Sequence, residues 1–396
     1  MSRLRARMVP RDPSEAHRAS TPLELFFDLT FVAAVASAGT GLEEGLVGGD
    51  ARHVLIVFPL VFFAIWWAWM NFTWFASAYD VDDVAYRVAV LVQMTGVLIL
   101  AAGIIRALEH WNFDLMVVGY VVMRLGMVSL WIRAAVSDAR GRRCAVRYAV
   151  GITAIQVGWV AALALPLDGR TLVFGVLVVG ELAVPIFAEA AGRTSWHPGH
   201  IAERYGLFTI IVLGEVVLAS SLGVHTALVG KATLRELLWP LIGGLLAVFS
   251  MWWMYFDLDS ERIVKNVREQ FSKRLNGAFA WGYGHYFVFA GAAATGAGLT
   301  VAIRQATSHT ALTSLEAGFA ETVPIAIYLV AVWLVHRRYK PPGKWRTFAA
   351  PVTAALIVAS SALPQPVFAA GVTMAMLVAA TTFVYRRMDE HATPQI

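Results

Sequence analysis

The residues able to do chemistry in this chain sit where hydrocarbon should be. In Thr21-Pro22-Leu23-Glu24-Leu25-Phe26-Phe27-Asp28-Leu29, two carboxylates open an apolar stretch that continues to Leu42. Spaced four residues apart, they share one face of a helix. A charge near a bilayer centre costs about 2.5–3.5 kcal/mol on insertion scales, so that face must look at other helices or at water. Glu24 has an ordinary role available, because Thr21, Pro22 and Glu24 fall at the N-cap, N1 and N3 positions of a capping box. Asp28 lies beyond the last orphan N–H, which leaves two roles for it: chemistry, or pairing with an arginine.

Other ionisable groups fall deep in apolar stretches: Arg124, Glu181, Glu215 and His285, with Gln93 and Gln156 as uncharged companions. Arg124 is always protonated and needs an anion or water. Asp28, Glu181 and Glu215 are the available acids. One reading is a buried ion pair that locks helix packing. The other notes that three acids to one arginine leaves surplus carboxylates, as a cation or proton path requires. Glu203 and Arg204 open a later apolar stretch, where Glu203 complements the helix dipole. Arg204 precedes Glu215 by about three turns on nearly the same face, so the two can mark one polar stripe. Asp83 and Arg87 have the spacing of a loop-closing pair. The candidate route therefore comprises Glu24, Asp28, Arg124, Glu181, Glu203, Arg204, Glu215, Asp257 and His285, with Asp28 and Glu215 as the acids an enzyme would use.

The elements that must position these groups follow from composition. Apolar residues make up 58% of the 396 and charged ones 15%, where a soluble chain carries about a quarter charged. This composition predicts an all-α, polytopic membrane bundle. Twelve apolar spans are expected. The first six are near Leu23–Leu42, Val54–Phe75, Val84–Ile105, Leu115–Ala134, Ala145–Pro166 and Thr171–Ala190. The second six are near Tyr205–Leu222, Leu238–Asp257, Ala278–Leu299, Ala317–Val335, Phe348–Leu363 and Val367–Tyr385. Spanning length and internal acids argue for a retained first helix over a cleaved signal peptide, despite Ala36-Ser37-Ala38.

With the N-terminus inside, 25 Lys and Arg fall on the cytoplasmic side against 6 outside, and Arg124 lies within a span. That bias predicts both termini in the cytoplasm. The net charge of +5 is spread between spans, so no nucleic-acid partner is expected. The single Cys144 excludes an intrachain disulfide framework. His197 and His200 read as surface histidines rather than metal ligands, and no metal or cofactor is expected.

A faint internal repeat is visible. Trp66-Trp67-Ala68-Trp69-Met70-Asn71 aligns with Trp252-Trp253-Met254-Tyr255-Phe256-Asp257, and Glu24 to Thr30 aligns with Glu203 to Thr209. The division this implies is a basic tail over 1–20, a six-helix repeat over 21–195 and a second, parallel repeat over 196–396. Transporters of such build gather their sites at the repeat interface. The tryptophans otherwise read as interfacial anchors, or as the walls of a cavity for a lipid, isoprenoid or organic cation.

Three stretches carry a family resemblance: Pro22-Leu23-Glu24-Leu25-Phe26-Phe27-Asp28-Leu29, then Asp82-Asp83-Val84-Ala85-Tyr86-Arg87, then His200 through Glu215. With the Trp252 to Asp257 stretch, they resemble the bacterial low temperature requirement A family over roughly Ser20 to Tyr385. The resemblance implies a multi-pass bacterial inner-membrane protein and names a growth phenotype. It supplies no reaction, substrate or catalytic set. Phosphate-binding loops and zinc-protease motifs are absent from the sequence. Two functions follow: a secondary transporter or ion/proton pathway built on buried carboxylates, or a membrane enzyme acting on a lipid-soluble substrate, such as an acid-initiated isoprenoid cyclase. Partners are the bilayer and a small molecule, ion or lipid-soluble substrate; the oligomeric state has no signature.

Overall fold

The computed structural model describes residues 4–12, 15, 18–257, 275–337 and 344–392, and among them all regular backbone is helical. The first six helices are α1 (Pro22–Val47), α2 (Ala51–Ala78), α3 (Val84–His110), α4 (Asp114–Ser137), α5 (Arg142–Ala162) and α6 (Leu167–Glu189). The next six are α7 (Pro198–Val229), α8 (Leu234–Phe256), α9 (Leu275–Ala306), α10 (Ser314–His336), α11 (Lys344–Ala359) and α12 (Pro366–Ala392). Each expected span has become one helix. Eleven of the described helices are long and apolar enough to cross a membrane, which makes the chain a multi-pass membrane protein. The exception is α11, whose 16 residues rise about 24 Å, short of a hydrocarbon core of roughly 30 Å. A single 3-10 turn, Ser360–Ala362, follows it. The basic group from Arg262 to Arg274 lies outside the described residues, as do positions 338–343.

Helix starts follow local chemistry. Thr233 with Glu236, and Thr313 with Glu316, form reciprocal capping boxes that begin α8 and α10. Asp83 caps α3 by accepting the Tyr86 N–H at 2.8 Å. Its expected pairing with Arg87 is not formed. Arg87 grips Asp82 with both Nε and Nη2 (2.7 and 2.8 Å). Asp83 is taken instead by Arg133 of α4, Nη1 at 3.0 Å, and by the N–H of Ala6 at 2.6 Å. Sequence spacing favours the i,i+4 neighbour, but a buried carboxylate gains more from a guanidinium that is buried with it.

The chain divides into two compact units. One comprises residues 1–41 and 56–208, the other 42–55 and 209–396. In the first, α3 and α4 meet backbone to backbone: a Cβ on Gly119 would fall 2.5 Å from the Leu100 nitrogen and 2.6 Å from the Gly96 oxygen. Small residues let membrane helices approach this closely. In the second, Gly291 and Gly298 bring α9 onto α10, and Gly243 brings α8 onto α12.

Burial corrects the reading of the tryptophans as interfacial anchors. Trp66, Trp67 and Trp69 are at most 1% exposed and fill the first unit's core. Trp252 and Trp253, which align with them in sequence, are 47% and 45% exposed. The same motif is packed in one unit and turned outward in the other.

Burial pushes the Asp83 carboxyl up, but Arg133 and the two N–H groups outweigh it and hold the group below the ordinary range. A carboxylate held low stabilises the fold above its unfolded value near 4, and that stabilisation is lost as pH falls through the folded value. Asp83→Asn strands Arg133, so it should cost on the order of 3 kcal/mol at neutral pH. Melting in detergent should show the gap from wild type closing as pH drops from about 5 toward 3; a gap independent of pH would contradict this role.

Candidate functional site

The first unit buries a network of charges around the start of α1. The capping box is present: Thr21 N–H donates to Glu24 Oε2 (2.8 Å), and Glu24 N–H donates to Thr21 Oγ1 (3.2 Å). Capping uses one carboxylate oxygen and leaves the other for the interior. Oε1 lies 3.1 Å from His200 Nε2 and 3.2 Å from Arg204 Nη1, both on α7. One turn further, Asp28 accepts Arg204 Nε at 2.8 Å, is bridged again by Arg204 Nη2, and accepts the Trp69 indole N–H at 2.7 Å. Asp28 and Arg204 are fully buried. Trp69 stacks on Phe208 at 4.3 Å, with the Tyr205 ring edge-on at 4.9 Å, so aromatic walls exclude water from the pair. The opposite face of α1 carries Leu25, Phe26 and Leu29, all exposed. The helix is polar inward and apolar outward, as a bilayer demands.

The segment before α1 joins this network. Arg18 is buried; its Nη2 donates to the Ala76 carbonyl at 2.7 Å, its Nη1 to that of Ser77, and it stands 3.8 Å from Glu24 and 3.7 Å from Asp80. Arg11 reaches Asp80 at 3.5 Å and Glu15 at 2.7 Å. Burial pushes the Asp80 carboxyl up, and the Glu24 charge pushes it further, against the pull of Arg18 and Arg11. The network thus holds four carboxyls (Glu15, Glu24, Asp28, Asp80), three guanidiniums (Arg11, Arg18, Arg204) and His200. With the histidine neutral, one negative charge is uncompensated.

The other sequence candidates fall elsewhere. Glu203 accepts the Ser20 N–H at 3.1 Å beside the network. Arg124 donates to Glu181 Oε2 at 2.9 Å, and the Trp67 indole donates to the same oxygen at 2.8 Å. This pair is balanced one to one, and the Arg124 guanidinium lies over the Tyr120 ring at 5.0 Å. Glu181 closes a cavity of about 50 Å³ lined by Phe63, Phe113, Tyr120, Trp159 and Phe174. Gln93 and Gln156 are buried on α3 and α5 without joining either pair. Glu215 lies further along α7, half-buried in the second unit. Asp257 ends α8, its backbone N–H bonded to Trp253. His285 donates from Nδ1 to the Trp281 carbonyl (2.8 Å), which leaves Nε2 to accept from the Tyr255 hydroxyl at 3.1 Å.

His197 and His200 are not surface residues. They are 6% and 0% exposed, and His197 accepts the His200 N–H on Nδ1 at 3.1 Å. In the sequence His200 reads only as a surface loop histidine, yet its spacing of four from Arg204 on one helix is the signal that could have found it. Arg18, Asp80 and Trp69 give none, because chain folding alone brings them together. Among the described residues no three His, Cys, Asp or Glu side chains gather as a metal ion requires.

These features define a multi-pass helical membrane protein whose first unit encloses a charged interior site. The description "Bacterial low temperature requirement A protein (LtrA)" matches residues 19–381, and the chain belongs to that family. It is also similar to an uncharacterised protein of Rhizobium meliloti (strain 1021), at 26% identity over 73% of this chain and 70% of the relative.

If the Asp28–Arg204 bridge holds α1 against α7, its two ends must be energetically coupled. In a double-mutant cycle, Asp28→Ala and Arg204→Ala should each destabilise strongly. The double variant should be less destabilised than their sum by about 1–3 kcal/mol, read from thermal melts of detergent-solubilised protein. Simple additivity would show that the bridge contributes no coupling.

Proposed function

We propose that this LtrA-family protein is a secondary transporter or ion pathway that moves protons, with the Glu24–His200 contact of the first unit as a proton seat. The observation that carries the reading is the charge imbalance: four buried or half-buried carboxyls against three guanidiniums, with His200 touching Glu24. A proton on the imidazole balances the network, and its loss leaves a net negative charge in a dry interior. The imidazole in contact with Glu24 is the group through which that balance would change by one proton. Arg204 connects Glu24 to Asp28, so the gain or loss of that proton is felt along α1 and α7. By the same reasoning Glu181–Arg124 is a packing lock, because its charges already cancel.

The enzymatic alternative has an observation of its own, the aromatic cavity that ends at Glu181. At about 50 Å³ it holds one or two waters, not an isoprenoid. Glu181 is also held as an acceptor by Arg124 and Trp67, the wrong state for protonating an alkene. Transport is therefore the better-supported reading.

The test is proton uptake into proteoliposomes that carry a trapped pH dye, driven by an external acid pulse with the membrane potential clamped. Wild-type protein should acidify the lumen several-fold faster than protein-free vesicles. Glu24→Gln and His200→Asn should return the rate to that of empty vesicles while still eluting as folded protein. Equal rates for wild type and both variants would remove the site assignment.

A further inference from the structure

We propose that Glu321, on α10 of the second unit, is a separate proton-exchanging carboxyl that is held neutral in the conformation described. The inference goes beyond the charged network of the first unit and stands on second-unit residues alone. Glu321 is fully buried, and neither carboxylate oxygen has a hydrogen-bond partner among the described residues. An unpaired carboxylate in an apolar interior is too costly to persist, so the group keeps its proton. Every other deep acid of this chain that sequence spacing singles out has either a cationic partner or partial exposure.

Among the described residues its surroundings contain nothing to neutralise a charge. Helix α9 crosses at Gly298, where a Cβ would fall 2.6 Å from the Glu321 Cα. Ala294, Ala297 and Leu299 on α9 and Ala317 and Ile325 on α10 are buried apolar neighbours in sequence. The hydroxyls nearby on these helices are committed: Thr322 with Ser361 Oγ (2.6 Å), Thr295 to the Gly291 carbonyl and Thr300 to that of Gly296. The ionisable groups of the packed elements are engaged elsewhere or distant. Tyr255 on α8 contacts His285 on α9. Arg304 pairs with Glu43, Glu316 caps α10, and Tyr328 donates to the Met251 carbonyl. Arg235 and Glu236 lie at the start of α8, Tyr283 and Tyr286 lie on α9 three turns or more before Gly298, and His336 ends α10 about 22 Å along the axis. The described side chains of α11 and α12 include no ionisable group.

A second feature sets the same turn of α10 apart. Pro324 has no N–H, so the Ala320 carbonyl, one residue before Glu321, lacks its helical donor. It packs against Gly298, which offers only a Cα–H. A buried acid therefore sits beside the one turn of α10 whose backbone ladder is already open, where water or a small cation meets a free acceptor if the helices part.

A lipid-soluble carbodiimide, N,N′-dicyclohexylcarbodiimide, tests this on the full chain in proteoliposomes. It reacts with a protonated carboxyl: the acid proton passes to a carbodiimide nitrogen while a carboxyl oxygen bonds to the central carbon. The acyl group then migrates from oxygen to nitrogen, so the entire reagent is retained and nothing leaves. Mass spectrometry should find the adduct on the Glu321 peptide at neutral pH, absent in Glu321→Gln and kept in Glu321→Asp. Its yield should fall about tenfold per pH unit once the medium passes the group's titration point. Absence of the adduct from wild type at every pH overturns the proposal, because the group is then ionised and paired. A yield unchanged from about pH 6 to pH 10 also overturns it, because the proton is then never exchanged. The readout is a single peptide, so it succeeds or fails independently of proton flux through the Glu24–His200 contact.

Discussion

The first unit depends on one kind of contact: a carboxylate that receives both a guanidinium and an indole N–H. It occurs twice. Trp69 and Arg204 hold Asp28, and Trp67 and Arg124 hold Glu181. Two residues apart on α2, the tryptophans point about 200° away from each other, so a single helix serves both pairs from opposite faces. Bare ion pairs in an apolar interior recover little net energy, because desolvation offsets the Coulomb gain. The indoles change that balance, since each adds a directed donor without adding charge and brings a large ring that excludes water. The pairs then specify which helix meets which.

Charge counting separates locks from working sites. Glu181 and Arg124 cancel, and nothing in their surroundings asks for another charge. The network around Glu24 does not cancel, and an imidazole touches the carboxylate that is shared between capping and bridging. Glu321 is the opposite extreme, a carboxyl without any counter-charge. The three arrangements differ in how a buried acid meets its charge: cancelled by one guanidinium, shared among several cations, or left without a partner among the described residues.

Much of the architecture was legible in the sequence, because hydropathy over twenty residues is a local property. All twelve helices lie where apolar runs and turn residues placed them. The Thr21 capping box was legible for the same reason, and so was the clustering of Glu24 with Asp28. Their partners were not. Arg18 and Asp80 reach the site only once the helices are packed, and spacing along one helix carries no record of that; His200 left a trace only in its spacing of four from Arg204. Asp83 shows the limit well: its i,i+4 neighbour Arg87 turned to Asp82, and a residue 50 positions away took its place. Glu321 escaped notice because no polar residue stands three or four positions from it on its own helix, and Trp66 to Trp69 misled because burial is decided by packing.

The segment ahead of α1 has a consequence for biosynthesis. Ala6 bonds to Asp83 and receives Arg133, Arg7 reaches Ser137, and Arg18 grips Ala76 and Ser77. These residues thus wait for partners made 58 to 130 positions later. Arg18 and the Ala6 N–H find partners once the second helix and the turn after it are made, whereas the Ala6 carbonyl and Arg7 fasten only with the fourth. This stretch therefore works as a latch across the first four helices, and a bulky fusion ahead of it would spare the insertion of α1 and interfere once α4 is in place.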